Sequence, residues 1–199
     1  MSRIGIFSGS FDPVHKGHIA FAHQAMKAAS LEQVYFAPES KPRRKEGVSH
    51  LAHRVAMLNL ALAVHPNLDV LELPDKNFSV GQTLPRLKAR FKNDQLFYLC
   101  GSDMLEHMPS WVMIEPLLTN MGLIIGVRNS SSTKETEKQV AKLPLKPVET
   151  FILPDQLPIS SHQIRSAIAN HEPTNGLLPS TVDYINKNWL YSVAPSKSS

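Results

Sequence analysis

Two histidines three residues apart, His15 and His18, lie in the chain's densest run of chemically useful residues, Gly9-Ser10-Phe11-Asp12-Pro13-Val14-His15-Lys16-Gly17-His18. Imidazole exchanges a proton near neutrality and offers N–H groups to phosphate oxygens. A second run, Ile159-Ser160-Ser161-His162-Gln163-Ile164-Arg165, places two hydroxyls ahead of a guanidinium. Hydroxyls at a helix entrance with an arginine one turn further in make an anion site. Each run has a plainer use. Paired histidines can serve zinc, but zinc takes three or four ligands, and Cys100 and the scattered remaining histidines offer no obvious set. Serines ahead of a helix can simply cap it.

The elements that must carry these residues are legible around them. Ile4-Gly5-Ile6-Phe7 has the size and composition of a buried parallel strand. Ile19, Phe21, Ala22, Ala25 and Met26 recur at helical spacing as far as Ser30, so the first run is a strand-to-helix turn. Gly9 is expected to adopt a backbone conformation closed to other residues and to let a ligand approach. Gly17 and His18 fall at the helix entrance, where free N–H groups and the helix dipole favour an anion. Further strands are expected at Gln33–Ala37, Leu68–Leu73, Leu96–Cys100, Leu123–Val127 and Thr150–Leu153. Ser49 is the expected N-cap of a helix running through Leu62. The last helix, with Val182, Ile185 and Trp189 on one face, reads as structural packing.

Strand-helix alternation of this kind predicts an α/β fold, a doubly wound Rossmann-like parallel sheet. His15 and His18 follow the first strand and Arg165 the last crossover. They must therefore meet across the C-terminal edge of the sheet. The loop 38–47, with Lys41, Arg43, Arg44 and Lys45, opens onto that same edge, although most charge runs are merely solvated. Residues 129–139 read as a loop running into a short exposed helix without chemistry.

Bulk properties narrow the classes. A chain of 199 residues suits one domain, taken as 1–191, with a frayed tail at 192–199. Net charge is +4, a mild excess that suits phosphorylated small molecules. No basic stripe with interleaved aromatics points to nucleic acid. A single cysteine excludes an internal disulfide framework and fits a reducing cytoplasm. No apolar run approaches the ~20 residues of a membrane span, and no signal peptide is recognisable.

The first run resembles the G-x-F-D-P-x-H-x-G-H signature of the nucleotidylyltransferase superfamily. The second is similar to that family's I-S-S-T-x-I-R, with His162 where the family has threonine. The likeness extends through Arg54-Val55-Ala56-Met57-Leu58-Asn59-Leu60-Ala61, Gly101-Ser102-Asp103 and the closing segment 178–191, and among bacterial members it is nearest to nicotinate-nucleotide adenylyltransferases. It implies transfer of AMP from ATP to a pyridine mononucleotide, with Mg2+ carried on the triphosphate. By the same resemblance His15, His18 and Arg165 are catalytic. Gly9, Ser10, Phe11, Gly17, Gly101, Asp103, Ser160, Ser161 and Ile164 hold ATP, with Asp103 at the ribose. Lys41 or Lys45, Arg54, Thr83 and Trp111 serve the acceptor, with Trp111 stacking on the pyridine. Residues 78–84 keep Thr83-Leu84 but lack the family's acid, which leaves nicotinamide mononucleotide or phosphopantetheine open as the acceptor. A nucleotide-binding regulator without turnover is the alternative from another class.

Overall fold

Six apolar runs pair side by side into one sheet in the computed structural model, which describes residues 1–43, 45–128, 132–154 and 156–192. The strands are β1 (Arg3–Gly9), β2 (Gln33–Pro38), β3 (Leu68–Val70), β4 (Gln95–Gly101), β5 (Met121–Gly126) and β6 (Thr150–Leu153). Their order is β3-β2-β1-β4-β5-β6, and every pairing is parallel. The helices are α1 (Lys16–Ala29), α2 (Leu51–Leu62), α3 (Val80–Arg90), α4 (Ile114–Asn120), α5 (Thr133–Val140), α6 (Ser161–Ala169) and α7 (Pro179–Lys187). The expected doubly wound α/β fold is the observed one. Chain direction across the sheet reverses between β1 and β4, and ligands of such sheets bind outside the strand ends at that point.

The pleat explains how strands apolar on every residue still distinguish two faces. Phe7, Phe36, Phe97 and Leu99 enter one core with Phe21 and Ala22 of α1 and Met57 and Leu58 of α2. Ile4, Ile6, Leu96, Tyr98 and Cys100 point the other way, into a core with Leu84 and Leu87 of α3 and Leu117 and Leu118 of α4. Each fully buried Phe or Leu contributes roughly 1.5–3 kcal/mol, so both faces are needed to hold the sheet rigid. At its N-terminal edge Arg3 donates to Glu149 and Gln95 and lies over the Phe97 ring, closing that end. The C-terminal edge carries the turns described below.

Several local expectations change. The α2 N-cap is His50, whose Nδ1 accepts the Ala52 N–H, while the Ser49 N–H is taken by Asp12. β3 stops at Val70 rather than Leu73, because only three of its residues find partners on β2. Trp189 does not share a buried face with Ile185. α7 ends at Lys187, the chain turns left-handed at Trp189 with φ 52°, and the indole is 83 % exposed. Residues 193–199, most of the expected tail, lie outside the described residues, as do residues 44, 129–131 and 155.

Candidate active site

β1 delivers the histidine turn to the open edge of the sheet, and α1 begins at once with His15 as its N-cap. The left-handed residue of this turn is Phe11, with φ 48°, not Gly9. Phe11 is held there by burial, in edge contact with Phe7 and His18 at centroid distances of 5.2 and 5.1 Å. Its ring is core, so only its backbone is left for a nucleotide. Gly9 is small for a different reason than expected: a side chain there would meet the Phe11 ring at 3.1 Å. Gly17 likewise makes room, because a Cβ on it would lie 3.0 Å from Nδ1 of His15.

The two imidazoles do face one side. Their rings stack with centroids 3.7 Å apart and an interplanar angle of 28°. Nδ1 of His18 accepts the His15 N–H at 3.2 Å, which places the ring proton on Nε2 and makes that atom a donor. Nδ1 of His15 is buried without a partner. Burial, with Arg128 adding to it, pushes the His15 pKa down to about 3. Burial likewise holds His18 well below the ordinary histidine value, reinforced by His15, Arg128 and Lys45. At neutral pH both rings are therefore uncharged N–H donors, with cations around them.

Those cations come from three separate elements. Lys45, in the loop after β2, donates from Nζ to Ser10 Oγ at 2.8 Å. Arg165, on α6, donates from Nη1 to the Asp12 carbonyl at 2.7 Å. Arg128 follows β5, its N–H bonded to Ser102 Oγ at 3.0 Å. Its side chain runs past Gly101, where a Cβ would collide with Asp103 Oδ1 and approach Arg128 Cδ at 3.1 Å. The Lys45 ammonium is held below the usual lysine value, first by burial and then by Arg165, with Glu39 and Asp103 opposing. Among the described residues none of the three cations has a carboxylate at salt-bridge distance. Unpaired positive charge gathered over neutral N–H donors is an arrangement completed by a polyanion.

The serines of the second run are partly engaged. Ser160 caps α6, accepting the Gln163 N–H at 3.2 Å, and Ser161 donates to the Pro13 carbonyl at 2.9 Å. The latter bond locks the entrance of α6 to the histidine turn. Ile164 is core, with its N–H given to the Ser160 carbonyl, so neither end of it is open to ATP. His162 is exposed. A cavity of about 740 Å³ opens at the entrance of α6, between it and the segments after β4 and β5, lined by Asp103, Arg128, Ser132, Gln156, Ser160 and Gln163 among others.

On the acceptor side the expected residues separate. Both lysines are exposed, but Lys45 reaches the turn through Nζ, whereas Lys41 joins the neighbouring loop through its backbone N–H on the Lys76 carbonyl. Arg54 does not face an acceptor. It is fully buried and donates to the carbonyls of Ser49 at 2.8 Å and Ser10 at 2.7 Å, bracing the turn from beneath. Thr83 is also fully buried, its Oγ1 accepting the Ser79 N–H at 3.0 Å, which fixes the entrance of α3. Trp111 is half-buried beside Phe78 and Tyr98, at centroid distances of 6.3 and 6.0 Å. Arg128 belongs to no motif in the sequence. A cation directly after a buried parallel strand, on the edge where ligands bind, was the available signal.

A crevice at the topological switch point, with histidines from the first turn and an arginine from the last crossover, defines a nucleotidyltransferase-type α/β protein. The sequence model of the Cytidylyltransferase-like family matches residues 6–167, and the chain is a member of that class. It is 35% identical over 197 residues to nicotinate-nucleotide adenylyltransferase of Bacillus subtilis (strain 168), covering 96% of this chain and 99% of the relative. A probable nicotinate-nucleotide adenylyltransferase of Carboxydothermus hydrogenoformans is 36% identical, with 96% and 98% covered. Within its class the chain belongs to the nicotinate-nucleotide adenylyltransferase family. Among solved structures, Plasmodium falciparum nicotinic acid mononucleotide adenylyltransferase complexed with NaAD has the same fold, with a TM-score of 0.79, 20% identity, and 96% and 98% of the two chains covered.

Proposed function

We propose that the chain transfers AMP from ATP to nicotinate mononucleotide, forming the dinucleotide and releasing pyrophosphate. The observation that carries this reading is the convergence of His15, His18, Lys45, Arg128 and Arg165 on one crevice, with no acid paired to the cations among the described residues. A phosphate oxygen of the mononucleotide attacks the α-phosphorus in line. The bond from that phosphorus to the bridging oxygen breaks, and pyrophosphate leaves with the electron pair. No covalent enzyme intermediate is needed, so the protein contributes position and charge.

Each residue then has a task. His18 donates from Nε2 and His15 from its ring N–H to phosphate oxygens. Arg165 and Arg128 balance the charge that moves onto the leaving group. Lys45, anchored on Ser10, faces the acceptor's phosphate, and Asp103 accepts from the ribose hydroxyls. No three His, Cys, Asp or Glu side chains group into a metal cage among the described residues. A Mg2+ brought in with the triphosphate would neutralise part of its charge. The entrance of α3 has no side-chain cap, so its free backbone N–H groups suit a carboxylate, the group that separates nicotinate from nicotinamide. Trp111 is beside that entrance through Phe78 and offers a ring for stacking.

Pyrophosphate release tests the reading directly. The protein is mixed with ATP and Mg2+ and then with nicotinate mononucleotide, nicotinamide mononucleotide or phosphopantetheine in separate reactions. The nicotinate arm is expected to have the highest kcat/KM. A higher value in either other arm reassigns the acceptor, and no release above background in any arm rejects adenylyl transfer.

A further inference from the structure

Asp12 is the acid inside the histidine turn. It is 1% exposed and contacted from three distant parts of the chain. Its Oδ1 accepts the Tyr191 hydroxyl at 2.6 Å, and its Oδ2 accepts the Ser49 N–H at 3.2 Å. Its carbonyl accepts Arg165 Nη1 at 2.7 Å, and the next carbonyl, of Pro13, accepts the Ser161 hydroxyl. Ser49 follows Lys45 by four residues in the same loop, and its own carbonyl takes Nε of Arg54. The loop bearing Lys45, the helix bearing Arg165 and the turn bearing both histidines are thus all referenced to one residue.

We propose that the Tyr191–Asp12 bond is a positioning clamp for the reaction, setting where Arg165 and the Lys45 loop stand relative to the two histidines. The idea rests on the reading of this crevice as the ATP site. The Asp12 carboxylate ties Tyr191 to the Lys45 loop and its backbone carbonyl holds Arg165, so a displacement of Asp12 as a whole disturbs all three segments. Burial and the bond to Asp12 raise the Tyr191 pKa, so the phenol stays a donor across the working pH range. The clamp can be told from ordinary tail packing, because α7 makes a separate phenol tie that is not joined to Asp12. Tyr184 pairs with Nδ1 of His53 on α2 at 3.0 Å.

That second tie supplies the control. Tyr191→Phe, Tyr184→Phe, Asp12→Asn and the double Tyr191→Phe/Asp12→Asn variant are compared at a temperature where each is fully folded. ATP binding is measured by calorimetry without acceptor, and kcat and KM by pyrophosphate release. Tyr191→Phe is expected to weaken ATP binding and lower kcat by about tenfold each, the scale of one charge-assisted bond. Tyr184→Phe is expected to shift Tm while leaving kcat and ATP affinity within about twofold. The double variant is expected to lose no more than the worse single one, since the two changes break the same bond. Tyr191→Phe with native affinity and kcat, equal effects from the two tyrosine variants, or additive losses in the double variant would each overturn the clamp. Wild-type protein that binds ATP yet turns over no mononucleotide rejects adenylyl transfer alone, and the affinity measurements still decide the clamp.

Discussion

His15 and His18 are held neutral by burial among cations, and this couples folding to pH in a definite direction. A histidine in the unfolded chain takes a proton below about pH 6.5, whereas folded His15 resists protonation until about pH 3. Below the unfolded value the unfolded state binds more protons, so stability falls as pH falls, from about 6.5 towards the depressed folded value. Between about pH 7.5 and about pH 5.5 one such imidazole costs about 1.4 kcal/mol. Urea unfolding at those two values is expected to show this loss in the ligand-free wild type and a smaller loss in His15→Gln. Equal losses in the two proteins would mean that His15 is not kept neutral. Triphosphate reverses the local sign, because its negative charge favours the imidazolium.

At the scale of elements, the geometry of the histidine turn depends on what α1 lacks at its second position. A methyl group on Gly17 would press against the His15 ring at 3.0–3.1 Å, so the ring must give way while the helix gains a better helix former. Gly17→Ala is expected to keep or raise Tm and to lower kcat at least tenfold, measured by melting curves beside the pyrophosphate assay. A variant with unchanged kcat would show that the ring position is not critical. The sequence displayed this turn because its strand, its glycines and its histidines are contiguous, and local periodicity sufficed to place it. Arg54 and Thr83, given to the acceptor by the resemblance alone, are buried and engaged with the backbone. Their partners are the carbonyls of Ser49 and Ser10 and the N–H of Ser79, and nothing in a helical pattern says that a polar residue will be buried to satisfy backbone groups. Ile164 was misread for a related reason: it stands inside a phosphate motif, yet its place in that motif is the apolar stripe of α6.

Across the whole molecule, the long-range convergence was legible where topology alone dictates it. A parallel sheet with right-handed crossovers must bring the turn after β1 and the entrance of α6 to one edge. Arg128 was not legible, because its role arises from a crevice assembled from β4, β5 and α6 rather than from its neighbours in sequence. Lys45, Arg128 and Arg165 together give that crevice a positive field beyond the overall charge of +4. Screening shortens the reach of such a field to about 10 Å at 0.1 M salt. KM for ATP is therefore expected to rise several-fold between about 0.05 and about 0.5 M salt, with a shallower rise in Arg128→Ala. A KM indifferent to ionic strength would discount the field.

The convergence on Asp12 has a consequence for the order in which a newly made chain becomes useful. Residues 49, 165 and 191 all meet an amino acid that precedes every one of them in the chain. Synthesis can complete every described strand by Leu153 and still yield a molecule with no guanidinium of α6 on the Asp12 carbonyl and no phenol on its carboxylate. Nucleotide therefore stabilises a chain that reaches Tyr191 more than one that stops or is nicked short of it, and quality-control proteases meet the shorter chain with less of that protection.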